Sequence, residues 1–226
     1  MQARMQSSRL PGKVLARLGQ RPLLEYVVTR LAASCHRDHL LVATSTSAAD
    51  DGIERFCRRL GFAFLRGSEA DVLGRYLAAT SDLDDRDLVV RATADNPLYC
   101  PARTAAIIAE HRRLANDYTC ITNLSYVVPE VIRVGALRAM ERLATSARSR
   151  EHVTPYFREA EHEFRVCQLP PDWRGLRPEI RLTVDTPAEL EQMSAICRVF
   201  ESAAPLFPLD DVYGYLSPLA LTGVRP

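Results

Sequence analysis

No stretch of this 226-residue chain is apolar for long enough to span a bilayer, and its first residues are polar and basic, without a signal-like hydrophobic segment. A cytoplasmic protein with no membrane partner is the expectation. Neither sign of charge dominates. The 29 Lys and Arg face 28 Asp and Glu, so the formal balance is +1 and no global field suits nucleic acid. Any positive potential must be local. C-x-x-C pairs are missing too: Cys35, Cys57, Cys100, Cys120, Cys167 and Cys197 lie far apart, which disfavours a zinc site or a disulfide framework and suits reduced, mostly buried thiols. His36 and His39 stand three apart with no further ligand nearby, so a solvated turn is expected there. Internal repeats and low-complexity linkers are absent.

What is present is alternation. Leu23, Leu24, Val27, Val28 and Leu31 sit at helical spacing within residues 22 to 34, followed by the short apolar run LLVATS. A helix over 49–60, a strand at 62–66, a helix over about 71–81 and the strand DLVVRATA repeat the pattern. A proline-led helix is expected over 101–114. The β-rich segments YTCITN and YVVPEVIRV, within 117–134, suggest a smaller subsheet. A helix over 135–147, a return to the main sheet through RLTVDTP, a helix over 187–201 and a proline-punctuated, loop-rich end complete the expectation. The length suits one domain, 1–226, of α/β class with a mostly parallel sheet and ligands at the carboxyl ends of its strands.

Residues 2 to 13, QARMQSSRLPGK, gather Arg4, Arg9 and Lys13 around small hydroxylic residues, with Gly12 supplying backbone freedom. Two guanidinium forks and a mobile ammonium suit the charged oxygens of a polyphosphate. A solvated basic surface is the plain alternative. The string is no Walker loop, since that motif's glycine spacing and Lys-Ser/Thr pair are missing. Spacing alone therefore stops at an anion site.

This loop, together with PLLEYVVTRL, LVATSTSAADD, FLRGSEADVLGRYLAA, VVRATADNPL, REHVTPYF and RLTVDTPAELE in the same order, resembles the cytidylyltransferases that activate acidic sugars and related anions. That group holds CMP-KDO synthetase, acylneuraminate cytidylyltransferase and the spore-coat polysaccharide (SpsF-like) proteins. The resemblance runs from residue 2 to about 197. It implies a Rossmann-like, GT-A type nucleotidyltransferase fold with a mostly parallel sheet flanked by helices and a small β subsheet. It also implies that Asp95 and Asp185, each at the end of a strand, hold a catalytic Mg²⁺ ion, and that Arg4, Arg9, Gly12 and Lys13 meet the triphosphate of CTP. Read alone, Asp95 before Asn96-Pro97 is also a turn former, and Asp185 before Thr186-Pro187 a helix cap.

By the same resemblance, Ala43, Thr44 and Ser45 end a strand near the base pocket, and Arg66, Gly67 and Ser68 with Asp71, Val72 and Leu73 form a second base-facing segment. Arg91, Asn96, Glu130, His152 and Thr154 are the candidates for an acidic acceptor, with the stretch around Glu130 shorter than in relatives. The implied reaction is attack by an acceptor oxygen on the α-phosphorus of CTP with loss of pyrophosphate, which needs no Ser-His-Asp arrangement. Relatives are commonly homodimers, with REHVTPYF as a plausible contact. They also carry an apolar strand directly before QAR, where this sequence has Met1, so a missing first strand is expected. A glycosyltransferase using a nucleotide sugar and an inactive nucleotide-binding homologue are the alternatives. The first lacks its usual D-x-D string here, and the second has no need of an aspartate pair.

Overall fold

The computed structural model describes residues 1–122 and 126–222. A two-stranded antiparallel ribbon, β1 (Arg17–Leu18) and β2 (Arg21–Pro22), leads into helix α1 (Leu23–Ala32). The five apolar residues spaced along α1 are all buried, so the helix seats one continuous stripe on the core. Each such side chain contributes roughly 1.5–3 kcal/mol by leaving water.

Strand β3 (Leu41–Ser45), helix α2 (Asp51–Leu60) and strand β4 (Ala63–Gly67) follow, with β3 and β4 paired in parallel. Gly61 ends α2 in the left-handed conformation, φ 69°, which lets the chain reverse into β4. Helix α3 (Val72–Ala79) then leads to strand β5 (Leu88–Arg91) and helix α4 (Pro101–Leu114), whose bounds match the proline-led expectation.

Strands β6 (Tyr118–Ile121) and β7 (Glu130–Arg133) do not stand apart as a separate subsheet. β7 lies antiparallel between β5 and β6, and β8 (Val166–Leu169) adds in parallel beyond β6, giving the order β5-β7-β6-β8. Of the expected YTCITN strand, Asn123 lies outside the described residues. Met1–Ala3 run in the gap between β3 and β5. Gln2 bridges Ala43 and Thr93 in parallel, and the Gln2 and Ala3 amides donate to the carbonyls of Ala92 and Ala43. These three residues join the β3–β4 pair to the larger sheet, beside a cavity of about 260 Å³ lined by Met1, Leu41, Tyr76, Val89 and Ile108.

Helices α5 (Val134–Leu143), α6 (Ala147–His152), α7 (Pro155–Glu159), α8 (Pro187–Val199) and α9 (Leu209–Thr222) complete the chain. Two sequence expectations fail here. RLTVDTP is not a strand: residues 181–185 join no ladder, because their backbone bonds go elsewhere. The Val184 amide donates to the Asp95 carbonyl, and the Val184 carbonyl accepts from Lys13. The tail is not loop-rich either, since α9 runs fourteen residues past Pro208. Buried Leu209, Val212, Tyr213 and Leu216 share one face at helical spacing, a periodicity that the surrounding prolines obscure.

Candidate active site

A cleft of about 230 Å³ opens where Met1–Ala3 and β5 end, the carboxyl edge expected of parallel strands. The loop after Ala3 forms one wall. Gly12, at φ 78°, closes that loop by donating its amide to the Met5 carbonyl at 2.8 Å, a backbone angle that a β-carbon would strain. Met5 is in turn tied to β3 through Asp50, whose Oδ1 accepts the Met5 amide at 2.7 Å while Oδ2 accepts from Thr44 and Ser45. Lys13 therefore leaves the loop from a fixed base, in a short 3-10 turn.

The ammonium of Lys13 joins the two aspartates. Its Nζ lies 2.9 Å from Asp185 Oδ1 and 3.4 Å from Asp95 Oδ2, and it donates to the Val184 carbonyl at 2.7 Å. Lys13 is the chain's only lysine; the other 28 basic side chains among the 29 are arginines. Asp95 is steered by Thr93, whose hydroxyl donates to Oδ1 at 2.6 Å. Asp185 is set by the start of α8, where Thr186 and Glu189 form a capping box and Glu189 also accepts the Asp185 amide. Arg9 and Arg181 reach Asp185 at 3.0 and 2.9 Å. Burial alone would raise the Asp185 pKa. The hydrogen bond and charge of Lys13, with Arg9 and Arg181, outweigh it and hold the carboxyl below its ordinary value.

The same arrangement tests the site for a cation. Two carboxylates already converge on one positive group, so the ammonium stands in for a metal ion, and both donors are the hard oxygens that a divalent ion of the magnesium kind takes. Among the described residues no cluster of three or more His, Cys, Asp or Glu side chains could hold a metal. Two aspartates are then the protein's share, with phosphate oxygens and water completing the shell.

Arg4 lines the cleft opposite, 3.5 Å from Glu151. Arg91 also lines it, with its guanidinium held from behind by the buried carboxylate of Glu130, which further accepts from Tyr118. Burial lowers the Arg91 pKa, but the charge of Glu130 more than restores it, so the net shift is upward. His152 lines the cleft, and its carbonyl accepts from Arg91 at 3.4 Å.

Other expected site residues are turned elsewhere. Thr44 and Ser45 are buried and donate to Asp50, and Ala43 is buried in β3. Arg66 pairs with Asp51 and Glu54 and donates to the carbonyls of Ser45 and Ser47. Asp71 caps α3 through the Gly74 amide and binds Arg150. Asn96 is buried on Thr93 and Tyr99, and Thr154 is buried, its amide donating to the His152 carbonyl. Gly67 gives its space to the stem of Arg75. Glu130 does not face the cleft. Val72, from the expected base-facing segment, does line the cleft, whereas Gln6 and Arg75 escaped the sequence reading, although the solitary lysine was a compositional signal in plain view.

The sequence profile of the family described as Cytidylyltransferase matches residues 1–205. The chain belongs to that family. This cytidylyltransferase is 37% identical over 202 residues to the spore coat polysaccharide biosynthesis protein SpsF of Bacillus subtilis, covering 87% of this chain and 84% of that protein. Its backbone matches a cytidylyltransferase from Leptospira borgpetersenii at TM-score 0.87 and 24% identity, over 99% and 94% of the two chains. It also matches a CMP:2-keto-3-deoxy-manno-octonic acid synthetase solved with CTP, at TM-score 0.64 and 16% identity, over 88% and 96%. Those likenesses show a mixed α/β nucleotidyltransferase fold of the Rossmann-like kind. No described helix of this cytidylyltransferase is long and apolar enough to cross a membrane.

Proposed function

We propose that this cytidylyltransferase transfers CMP from CTP to an acidic sugar, sugar phosphate or phosphonate, releasing pyrophosphate with the help of Mg²⁺. The observation that carries the reading is the Lys13 ammonium between Asp95 and Asp185, at the floor of a cleft that also holds Arg4 and Arg9. Mg²⁺, when bound by Asp95 and Asp185, supplies charge neutralisation for the reacting phosphate oxygens. The chain's own groups do the rest. Arg9, Arg4 and the loop closed by Gly12 grip the triphosphate, and Lys13 swings from the carboxylates to the charge that gathers on the departing pyrophosphate. Arg91, fixed by Glu130, presents a cation to the acceptor's acidic group, and His152 borders the same space. Positioning and electrostatics carry the chemistry, with no covalent enzyme intermediate.

The relative SpsF is described as a spore coat polysaccharide biosynthesis protein, which supports a sugar-like acceptor. The enzyme works in the cytoplasm as a homodimer in this reading; light scattering in solution tests the dimer, and a monomeric mass removes that part.

Pyrophosphate release, followed with each of the four ribonucleoside triphosphates against a panel of acidic acceptors with and without Mg²⁺, tests the proposal. CTP alone should react, with at least one acceptor and only with the metal. UDP release from a nucleotide sugar would transfer the site to glycosyl transfer. Silence alongside measurable triphosphate binding would leave a nucleotide-binding homologue.

A further inference from the structure

Arg75 is the least explained charge in the cleft. It projects from α3, is 3% exposed and lines the cavity beside Val72. Its stem crosses the end of β4 over Gly67, where a β-carbon would stand 2.8 Å from Arg75 Cγ, so the glycine is what permits this path. Nη1 is spent on the carbonyls of Ser68 and Glu69. Nε is buried with no partner, and among the described residues Nη2 makes no hydrogen bond and no carboxylate lies within ion-pair distance. Asp71, one helical turn back, is taken by Gly74 and Arg150. A buried guanidinium with an idle two-donor edge is costly unless a ligand completes it.

The surroundings narrow the ligand. Arg9 and Lys13 serve the carboxylate pole of the cleft, whereas the neighbour of Arg75 on α3 is the apolar side chain of Val72, which suits a ring face better than charged oxygens. Arg66 and Asp71 are bound away from the cleft, so its β4–α3 wall is lined by Val72 and Arg75.

We propose that Arg75 reads the nucleobase, donating from Nε and Nη2 to the adjacent O2 and N3 acceptors of cytosine. This rests on the CTP reading above and names the residue that enforces it. Uracil keeps the O2 acceptor but carries a hydrogen on N3, so one donor of the same edge would face that N–H, leaving those two groups unpaired.

Binding to the full-length chain is measured by calorimetry with Mg²⁺ and no acceptor, using CTP, UTP, 3-deazacytidine triphosphate and inorganic tripolyphosphate. Arg75→Lys keeps the charge and the stem over Gly67 but lacks the planar fork, and Arg75→Gln removes the charge. Wild type should bind CTP at least about tenfold tighter than UTP or the 3-deaza analogue, the discrimination expected of a lost buried hydrogen-bond pair. Both variants should bring CTP to within about twofold of UTP while tripolyphosphate binding stays within about twofold of wild type. Preserved CTP preference in a folded variant overturns the assignment. So does an equal loss for CTP, UTP and tripolyphosphate, which would make Arg75 a phosphate ligand. The 3-deaza comparison needs no variant, and parity with CTP there overturns the inference even if both substitutions fail to fold. Absence of any CTP preference in wild type would instead sink the cytidylyltransferase reading, and this proposal with it.

Discussion

Replacing Lys13 by methionine keeps most of the stem and removes the charge that joins Asp95 to Asp185. Its side chain is 9% exposed, and those of its partners 30% and 12%, so solvent screens the pair only partly. At an effective dielectric constant of about 20, unit charges at these separations, 2.9 and 3.4 Å, attract by roughly 6 and 5 kcal/mol. Desolvating the ammonium offsets much of that, and stripping one partner from a buried pair costs about 3–5 kcal/mol. Arg9 and Arg181 still hold Asp185, so the loss falls below that full-pair range, at about 2–3 kcal/mol, or roughly 5–10 °C in Tm for a chain of this size. The informative arm is a melt of wild type and Lys13→Met across a Mg²⁺ or Mn²⁺ titration without nucleotide. Freed of the competing ammonium, the variant's carboxylates should take the ion more tightly, so its Tm should climb further than the wild type's. An unchanged starting Tm, or a metal response no larger than wild type, refutes the claim that the ammonium stands where a cation binds.

Lys13→Ala and Asp95→Ala should each lower pyrophosphate release at least about a hundredfold, the scale for removing a group that meets developing charge; near-normal turnover in either removes that residue from the chemistry. Glu130→Gln strips the buried counter-charge from Arg91 and should cost about 3–5 kcal/mol in urea unfolding. A loss below about 0.5 kcal/mol, within the noise of ordinary surface substitutions, would mean that the pair is not structural. His111 is buried, with Nδ1 on Thr119 and Nε2 unpartnered, and burial pushes its pKa down from 6.5 to about 4. The unfolded chain therefore takes the proton first. Stability is full above pH 6.5 and declines toward pH 4, by roughly 2 kcal/mol at pH 5. His111→Gln should flatten that slope, and an equally steep one in the variant would assign it to other groups. Asp50→Asn turns an amide toward donors from Met5, Thr44 and Ser45 and should loosen the loop that Gly12 closes, weakening CTP binding about tenfold; unaltered CTP titrations would uncouple the two.

The helices around the sheet were readable because each buries a stripe at regular spacing: α1, α2, α3, α4 and α8 lie within a few residues of their expected ranges. Strands were less so. β7 falls inside the β-rich YVVPEVIRV, but its place between β5 and β6 was not legible, because the carboxylate of Glu130 that opens it is held by Arg91, Tyr118 and Arg158 from other elements; β8 was not foreseen at all. The segment ending in Asp185 has the composition of a strand, yet its backbone partners are the Asp95 carbonyl and the Lys13 ammonium, which no local pattern announces. In the cleft, the meeting of Lys13 with Asp95 and Asp185 matches the order of their motifs. Arg75 escaped because its role depends on what it lacks. Four residues after Asp71 it reads as half of a helical ion pair, and only the structure shows Asp71 taken by Arg150.

The solitary lysine makes the site spectroscopically private. Growing the protein on isotope-labelled lysine places a single labelled ammonium in the whole molecule, between Asp95 and Asp185. Any change in that one resonance, on adding metal, triphosphate or a candidate acceptor, therefore reports on the floor of the cleft with no assignment work and no background, turning an accident of composition into a screen for ligands.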